Sequence, residues 1–309
     1  MWKSIVLALA ALNLGAAAAL AAEPPTVAYV VKEINPYFNV MLKGANAEAD
    51  KLGIKLLTSA AANQTAVEQQ ISIVEDFISQ KVAAIVIAPI DSKGLVPVLK
   101  KALDAGIPVV NVDNRLDAAT MKAVSISIPY VGVNDEVSAY NAAKAIVATL
   151  GGKGKVAILE GVRGADNAQA RKRGAEKAFS EAPGIKIVAS QTANWQAEEA
   201  LNVATNIIQA NPDLAGIFAS NDMMSFGAIQ AISAAGKSIV ITSIDAESQA
   251  LVNVRDGTAL ATVYQNQDAQ AAKAVDVALS LIKGETVEPD IQVPTVLITK
   301  ANLADYLKH

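Results

Sequence analysis

Side chains able to hold a polyhydroxylated molecule recur along this chain, while those needed for covalent chemistry are nearly missing. The only histidine is His309, the final residue and best read as an exposed tail, and there is no cysteine. The usual nucleophile–base pairs therefore lack a base, and soft-metal sites lack their ligands. Catalysis by carboxylates alone stays open on residue types, but no enzymatic activity, metal or cofactor is expected. The stretch GVRGAD at 161–166 contains glycines yet fits no phosphate cradle. What remains is suited to hydroxyl groups. Ionised carboxylates accept hydroxyl protons, a guanidinium donates in a fork, and side-chain amides do both. Aromatic faces pack against C–H surfaces. The candidate ligand-binding residues are Lys32, Asn35, Tyr37, Phe38, Asp113 and Asn114 in the first half. In the second half they are Arg171, Trp195, Asn221, Asp245 and Gln265.

Each candidate also has a structural reading. Asn35-Pro36 is a good turn and helix start, and Phe38 suits a core. Asp113, Asp245 and above all Asp222 could be helix N-caps. Arg171 lies in ARKRG, where a solvated basic face is the ordinary explanation. The short polar setting of Trp195, between a strand and a helix, offers no obvious core to fill and favours a binding role. Joint placement at equivalent strand ends weighs towards binding for the whole set.

The elements that must position these residues occur twice. VAAIVIAPID at 82–91 and LAGIFASND at 214–222 are each followed by a helix-like stretch ending in Ala-Gly, then by an apolar strand closing on aspartate, Asp113 or Asp245. Strand candidates are 26–33, 54–58, 83–88, 107–112 and 123–128 in the first copy, and 155–160, 185–190, 215–219, 239–244 and 259–264 in the second. Helical spacing marks 41–52, 66–79 and 198–209 between them. Short β-branched runs alternating with helices describe parallel βαβ units, which bind ligands beyond the carboxyl ends of their strands. Two copies give two α/β lobes with a cleft between. The chain passes from one to the other through VGVNDE at 131–136, too short for a free tether and placed for a hinge. A further helix at 268–283 and a last strand in PTVLITK imply that it recrosses, with crossings near 131–134, 264–266 and 291–294. The expected division is a signal peptide over 1–21, a first lobe of 22–132 plus 266–292, and a second of 133–265 plus 293–309.

The leader reading rests on Lys3, the apolar stretch from Ile5, and small residues at Ala19 and Ala21 before the expected cleavage point. An uncleaved anchor is the alternative, but the stretch barely reaches a span and carries Asn13. Export permits disulfides without requiring them, and a chain of 309 residues can bury enough surface to fold without any. A formal net charge of −4 with no basic cluster argues against nucleic acid and anionic membrane surfaces. The compartment that fits is a bacterial periplasm.

In VVKEINPYF, NVDNRLD, ARKRGAEKAF, SQTANW, FASNDMMSFGA and ATVYQNQ the chain resembles the periplasmic sugar-binding proteins of the ribose and allose type, and the resemblance runs through everything after the leader. It implies the type I periplasmic binding protein fold, two Rossmann-like lobes with parallel sheets joined by a three-strand hinge. It also implies capture of a monosaccharide and its delivery to the membrane permease of an ABC importer. The two lobes and their short crossings predict a hinged monomer, and a sensor subunit that presents the sugar to a membrane chemoreceptor is the rival reading. Asn35, Tyr37 and Phe38 would then meet the sugar from the first lobe, with Asp113 binding hydroxyls. Arg171, Trp195, Asn221, Asp245 and Gln265 would match the positions of the second. Ribose binders of this family typically have arginine directly after the equivalent of Asp113, whereas here Asn114 intervenes before Arg115. Lys32 and Trp195 look like the allose-type pattern, and Tyr37 adds a hydroxyl where phenylalanine is usual. These departures point to a hexose such as allose or its ketose, with pentoses and polyols still open. A transcription regulator with the same core would need a DNA-binding helix pair where the leader sits.

Overall fold

The computed structural model describes residues 23–307. The signal-peptide expectation and the reading of His309 lie outside them. The first nine elements are β1 (Thr26–Val31), α1 (Pro36–Leu52), β2 (Lys55–Ala60), α2 (Val67–Ser79), β3 (Ala84–Ile87), α3 (Val96–Asp104), β4 (Val109–Val112), α4 (Ala118–Ala123) and β5 (Tyr130–Gly132). The second run is α5 (Asp135–Thr149), β6 (Lys153–Glu160), α6 (Asp166–Ser180), β7 (Gly184–Thr192), α7 (Ala197–Ala210), β8 (Leu214–Ala219), α8 (Asp222–Ala234), β9 (Val240–Asp245), α9 (Ser248–Asp256) and β10 (Ala261–Tyr264). Last come α10 (Gln267–Ile282), β11 (Asp290–Gln292) and β12 (Val296–Thr299).

Two six-stranded sheets result, ordered β11-β5-β4-β3-β1-β2 and β12-β10-β9-β8-β6-β7. Every pairing is parallel except β12 on β10. In each sheet the strand order reverses beside the lobe's first strand, with β1 between β2 and β3 and β6 between β7 and β8. That is the topological switch point at which doubly wound sheets leave a crevice. The central strands are buried on both faces because helices cover both sides, while the edge strands β2, β7 and β11 stay partly open. β3 reads Ala-Ile-Val-Ile with every residue buried. After β10 the chain returns to the first lobe, where α10 packs on α1. A Cβ at Gly44 would stand 2.5 Å from the carbonyl oxygen of Asp268, so only glycine lets these helices meet so closely. β11 then pairs with β5, and β12 goes back to the second sheet.

Local chemistry explains the helix ends that matter. Asn35 caps α1 by accepting from Phe38 N at 2.9 Å, and Pro36 occupies the first turn, where a missing N–H costs nothing. Asn221 repeats the arrangement on α8, accepting from Met224 N at 2.9 Å. One segment departs from expectation. Residues 123–128 are not a strand but the end of α4 and the chain beyond it, with Ser125 at φ 56°. Asp117 caps α4 through Thr120, and the alternating Val124, Ile126 and Ile128 pack onto the first lobe's apolar cluster without ladder partners. The strand forms instead at β5. No helix among the described residues is long and apolar enough to cross a membrane.

Candidate functional site

A cavity enclosing about 300 Å³ of atom-free space, its solvent-facing mouth included, lies between the lobes at the strands' carboxyl ends. The first lobe lines it with Lys32, Asn35, Tyr37, Phe38, Gln64 and Asp113, and the second with Asn167, Arg171, Trp195, Asn221, Asp245 and Gln265. Ten of the residues singled out from sequence thus meet here. Asn114 does not. Its amide is spent inside the protein, donating to Pro89 O at 2.8 Å and accepting from Asn167 N at 3.1 Å. Gln64 and Asn167 were missed, although each follows a strand's carboxyl end, β2 and β6, where the same rule would have found them.

Asp113 is held from two sides. Tyr37 donates to Oδ1 at 2.7 Å, and Lys32 Nζ lies 2.9 Å from Oδ2, both partners being buried. Burial pushes the Tyr37 phenol well above its usual range, and the negative charges of Asp113 and Asp245 push it further. It therefore stays a neutral donor. Opposite stands Arg171, also buried rather than solvated. Its guanidinium donates to Asp135 Oδ1 at 2.7 Å, Ser220 O at 2.8 Å and Gln265 Oε1 at 3.0 Å, and lies 3.8 Å from Asp245 Oδ1. Gln265 in turn donates to Asp245 at 2.6 Å.

The second lobe concentrates buried acid. Burial raises Asp135 to about 6 despite the pull of Arg171. It also raises Asp245 well above the carboxylate range, with Asp222 and Glu247 opposing the effect of Arg171. Asp222 is not a cap, because the preceding residue Asn221 does that work. Its carboxylate accepts from Ser243, from Thr262 at 2.8 Å and from Glu247 N at 2.8 Å, tying β9 to β10. Asp113 and Asp245 cap no helix either.

Trp195 differs from expectation in having a core to fill. Its indole packs over Gly161, where a Cβ would stand 2.1 Å from Cη2, and joins the apolar cluster of the second lobe while one side faces the cavity. The Arg171 guanidinium lies 5.5 Å from its ring centre, a cation–π contact. Backbone strain gathers here too. Asp113, Asn194, Trp195, Asp245 and Ala246 all have φ between 48° and 134°, a region costing on the order of 1–3 kcal/mol for such residues and common where a fold over-determines a site. Among the described residues no group of three or more His, Cys, Asp or Glu is placed to hold a metal.

Glu247 gives a stability test. Its Oε1 is buried without a partner, and burial, then Asp222 and Glu33, raise it to about 8. On folding it takes up a proton that an unfolded glutamate, near 4.3, releases. That contribution is present at low pH and lost as pH rises through about 8. Glu247→Gln should melt close to the parent at about pH 5 and above it at about pH 9. A difference in melting temperature that is constant over this interval would mean that Glu247 is ionised throughout.

The fold and this cleft define a bilobal solute-binding protein. A family described as "Periplasmic binding protein domain" matches residues 27–286, and the chain belongs to it. It is 38% identical over 299 residues to a D-ribose/D-allose-binding protein of Pseudomonas aeruginosa, covering 93% of both chains. It is 34% identical over 267 residues to the D-allose-binding periplasmic protein of Escherichia coli, covering 85% of this chain and 86% of that one. Among solved structures it is similar to an ABC transporter periplasmic solute binding protein from Actinobacillus succinogenes with bound D-allose. That match has a TM-score of 0.87 and 40% identity, over 91% of this chain and all of the other.

Proposed function

We propose that this chain captures a neutral monosaccharide, a hexose of the allose type in preference to a pentose or polyol, and delivers it in the periplasm to the permease of an ABC importer. It works as a monomer and is not an enzyme. The segments 22–132 with 266–292 and 133–265 with 293–309 move as two bodies about the three crossings, and ligand contacts to both favour the closed form. The observation that carries the reading is the pairing of two strand-end carboxylates from opposite lobes, Asp113 and Asp245, in one polar cavity that also exposes Tyr37, Phe38 and Trp195. Carboxylates take hydroxyl protons and rings take C–H faces, which is the chemistry of a sugar.

Trp195 is the only tryptophan beyond residue 2, so its fluorescence reports on one side of the site. Titration with D-allose, D-ribose, D-psicose, myo-inositol and xylitol should give a saturable change with at least one of them, strongest for a hexose. The same compound should raise the melting temperature, because a ligand that binds only the native state stabilises it. No response to any of the five in both measurements would sink the proposal.

A further inference from the structure

Helix α6 begins without a cap of its own. Ala165 stands at the N-cap position and offers no side-chain oxygen, so the first amides of the helix have no such acceptor within the second lobe. The first lobe supplies it. Asp166 N donates to Ser92 Oγ at 2.9 Å and Asn167 N to Asn114 Oδ1 at 3.1 Å. Ser92 N returns a bond to Gly164 O at 3.0 Å. The acceptors are fixed before the helix arrives, since Asn114 Nδ2 donates to Pro89 O at 2.8 Å and to Ser92 Oγ at 3.3 Å. Neither Ser92 nor Asn114 lines the cavity.

Gly164, in the GVRGAD stretch that fits no phosphate cradle, is what admits this approach. A Cβ there would stand 2.1 Å from Asp91 Oδ2 and 3.1 Å from its carboxyl carbon. Asp91 cannot readily swing away, because its Oδ1 accepts from Lys93 N at 2.9 Å and from Gly94 N at 2.7 Å. The clash exists only while the lobes are together.

We infer that Ser92, Asn114 and Gly164 form a latch that caps α6 across the cleft and favours the closed form equally for every ligand. It sets affinity without choosing the sugar. In the open form the amides of α6 return to water and the bonds are exchanged rather than lost. The latch therefore shifts the equilibrium modestly, by about the net worth of ordinary hydrogen bonds. Apparent affinity scales with the fraction of protein in the competent form.

The sugar-binding reading underlies only the affinity arm of the test. The chain has no cysteine, so spin labels can be attached at Glu68→Cys and Glu198→Cys, exposed first-turn positions of α2 and α7 in opposite lobes. Ligand-free protein should show a short-distance closed population that Ser92→Ala and Gly164→Ala each diminish. Calorimetry with D-allose and D-ribose should show each variant weakening every sugar that the parent binds by one common factor, roughly three- to tenfold for Ser92→Ala. Identical ligand-free distances in the parent and both variants overturn the latch, whether or not sugar binds. Unequal factors for the two sugars overturn its indifference to ligand. A parent that binds neither probe while the distances still shift refutes the sugar reading and supports the latch.

Discussion

Arg171→Met is expected to abolish measurable sugar binding and to lower stability by about 3–5 kcal/mol near neutral pH, the usual cost of breaking a buried ion pair by removing one partner. Among the described residues the guanidinium is the only cation within ion-pair distance of Asp135 and Asp245, and it also donates to the Gln265 oxygen and to the carbonyl of Ser220 just before α8. Methionine fills much of the volume but leaves the buried Asp135 and Asp245 without the charge that compensates them. Both already have raised acid constants beside the arginine, so removing it drives them higher still. The sign follows from linkage. A folded carboxyl with a raised constant is stabilising when protonated at low pH and loses that contribution as pH rises through its folded value. The variant should therefore lie nearest the parent at about pH 5 and farthest at about pH 8. Arg171→Lys should recover part of the stability but little of the binding, since an ammonium cannot serve three acceptors as a planar fork. Melting curves at the two pH values, beside calorimetric titration, check both claims. A methionine variant that melts with the parent and binds normally would reduce Arg171 to a passive filler.

How much of this was legible beforehand depends on the range of the interaction concerned. The βαβ repeats were readable because a parallel strand covered on both faces must be apolar throughout, as in Ala84–Ile87, and because its ligand edge is fixed by chain direction. That rule alone brought Asp113 and Asp245 to one cavity. It failed at 123–128 because alternation records burial of one face, and an extended segment docked on a core alternates as a strand does. β11 was invisible because three residues, two of them exposed, carry no pattern of their own and pair only because β5 is there. Trp195 was placed correctly for the wrong local reason. Its burial depends on Gly161, thirty-four residues earlier, which no window around the tryptophan contains. Asn114 erred in the opposite sense. Its position beside Asp113 pointed to ligand, but the chain turns just past β4, with Asp113 at φ 64°, and the Asn114 amide faces Pro89 and α6 instead.

Asp113→Ala is expected to weaken sugar binding by roughly two to four decades, and the structure supplies the count. An ionised carboxylate has about four acceptor positions. Tyr37 occupies one on Oδ1 and Lys32 one beside Oδ2, which leaves two for ligand hydroxyls. Hydrogen bonds to a charged group contribute roughly 1.5–3 kcal/mol each, and every 1.4 kcal/mol is about tenfold in affinity. The same substitution also bears on the fold. Lys32 is 3% exposed and Asp113 is its one ion-pair partner among the described residues. The alanine leaves that ammonium buried and uncompensated, so stability should fall by several kcal/mol as well, about 3–5 at most. A second substitution separates the two losses. Lys32→Met combined with Asp113→Ala removes the stranded charge and should restore most of the melting temperature, while affinity for the sugar stays as low as in the single variant. If the double variant regains binding along with stability, Asp113 serves only to neutralise Lys32, and the carboxylate does not hold the sugar.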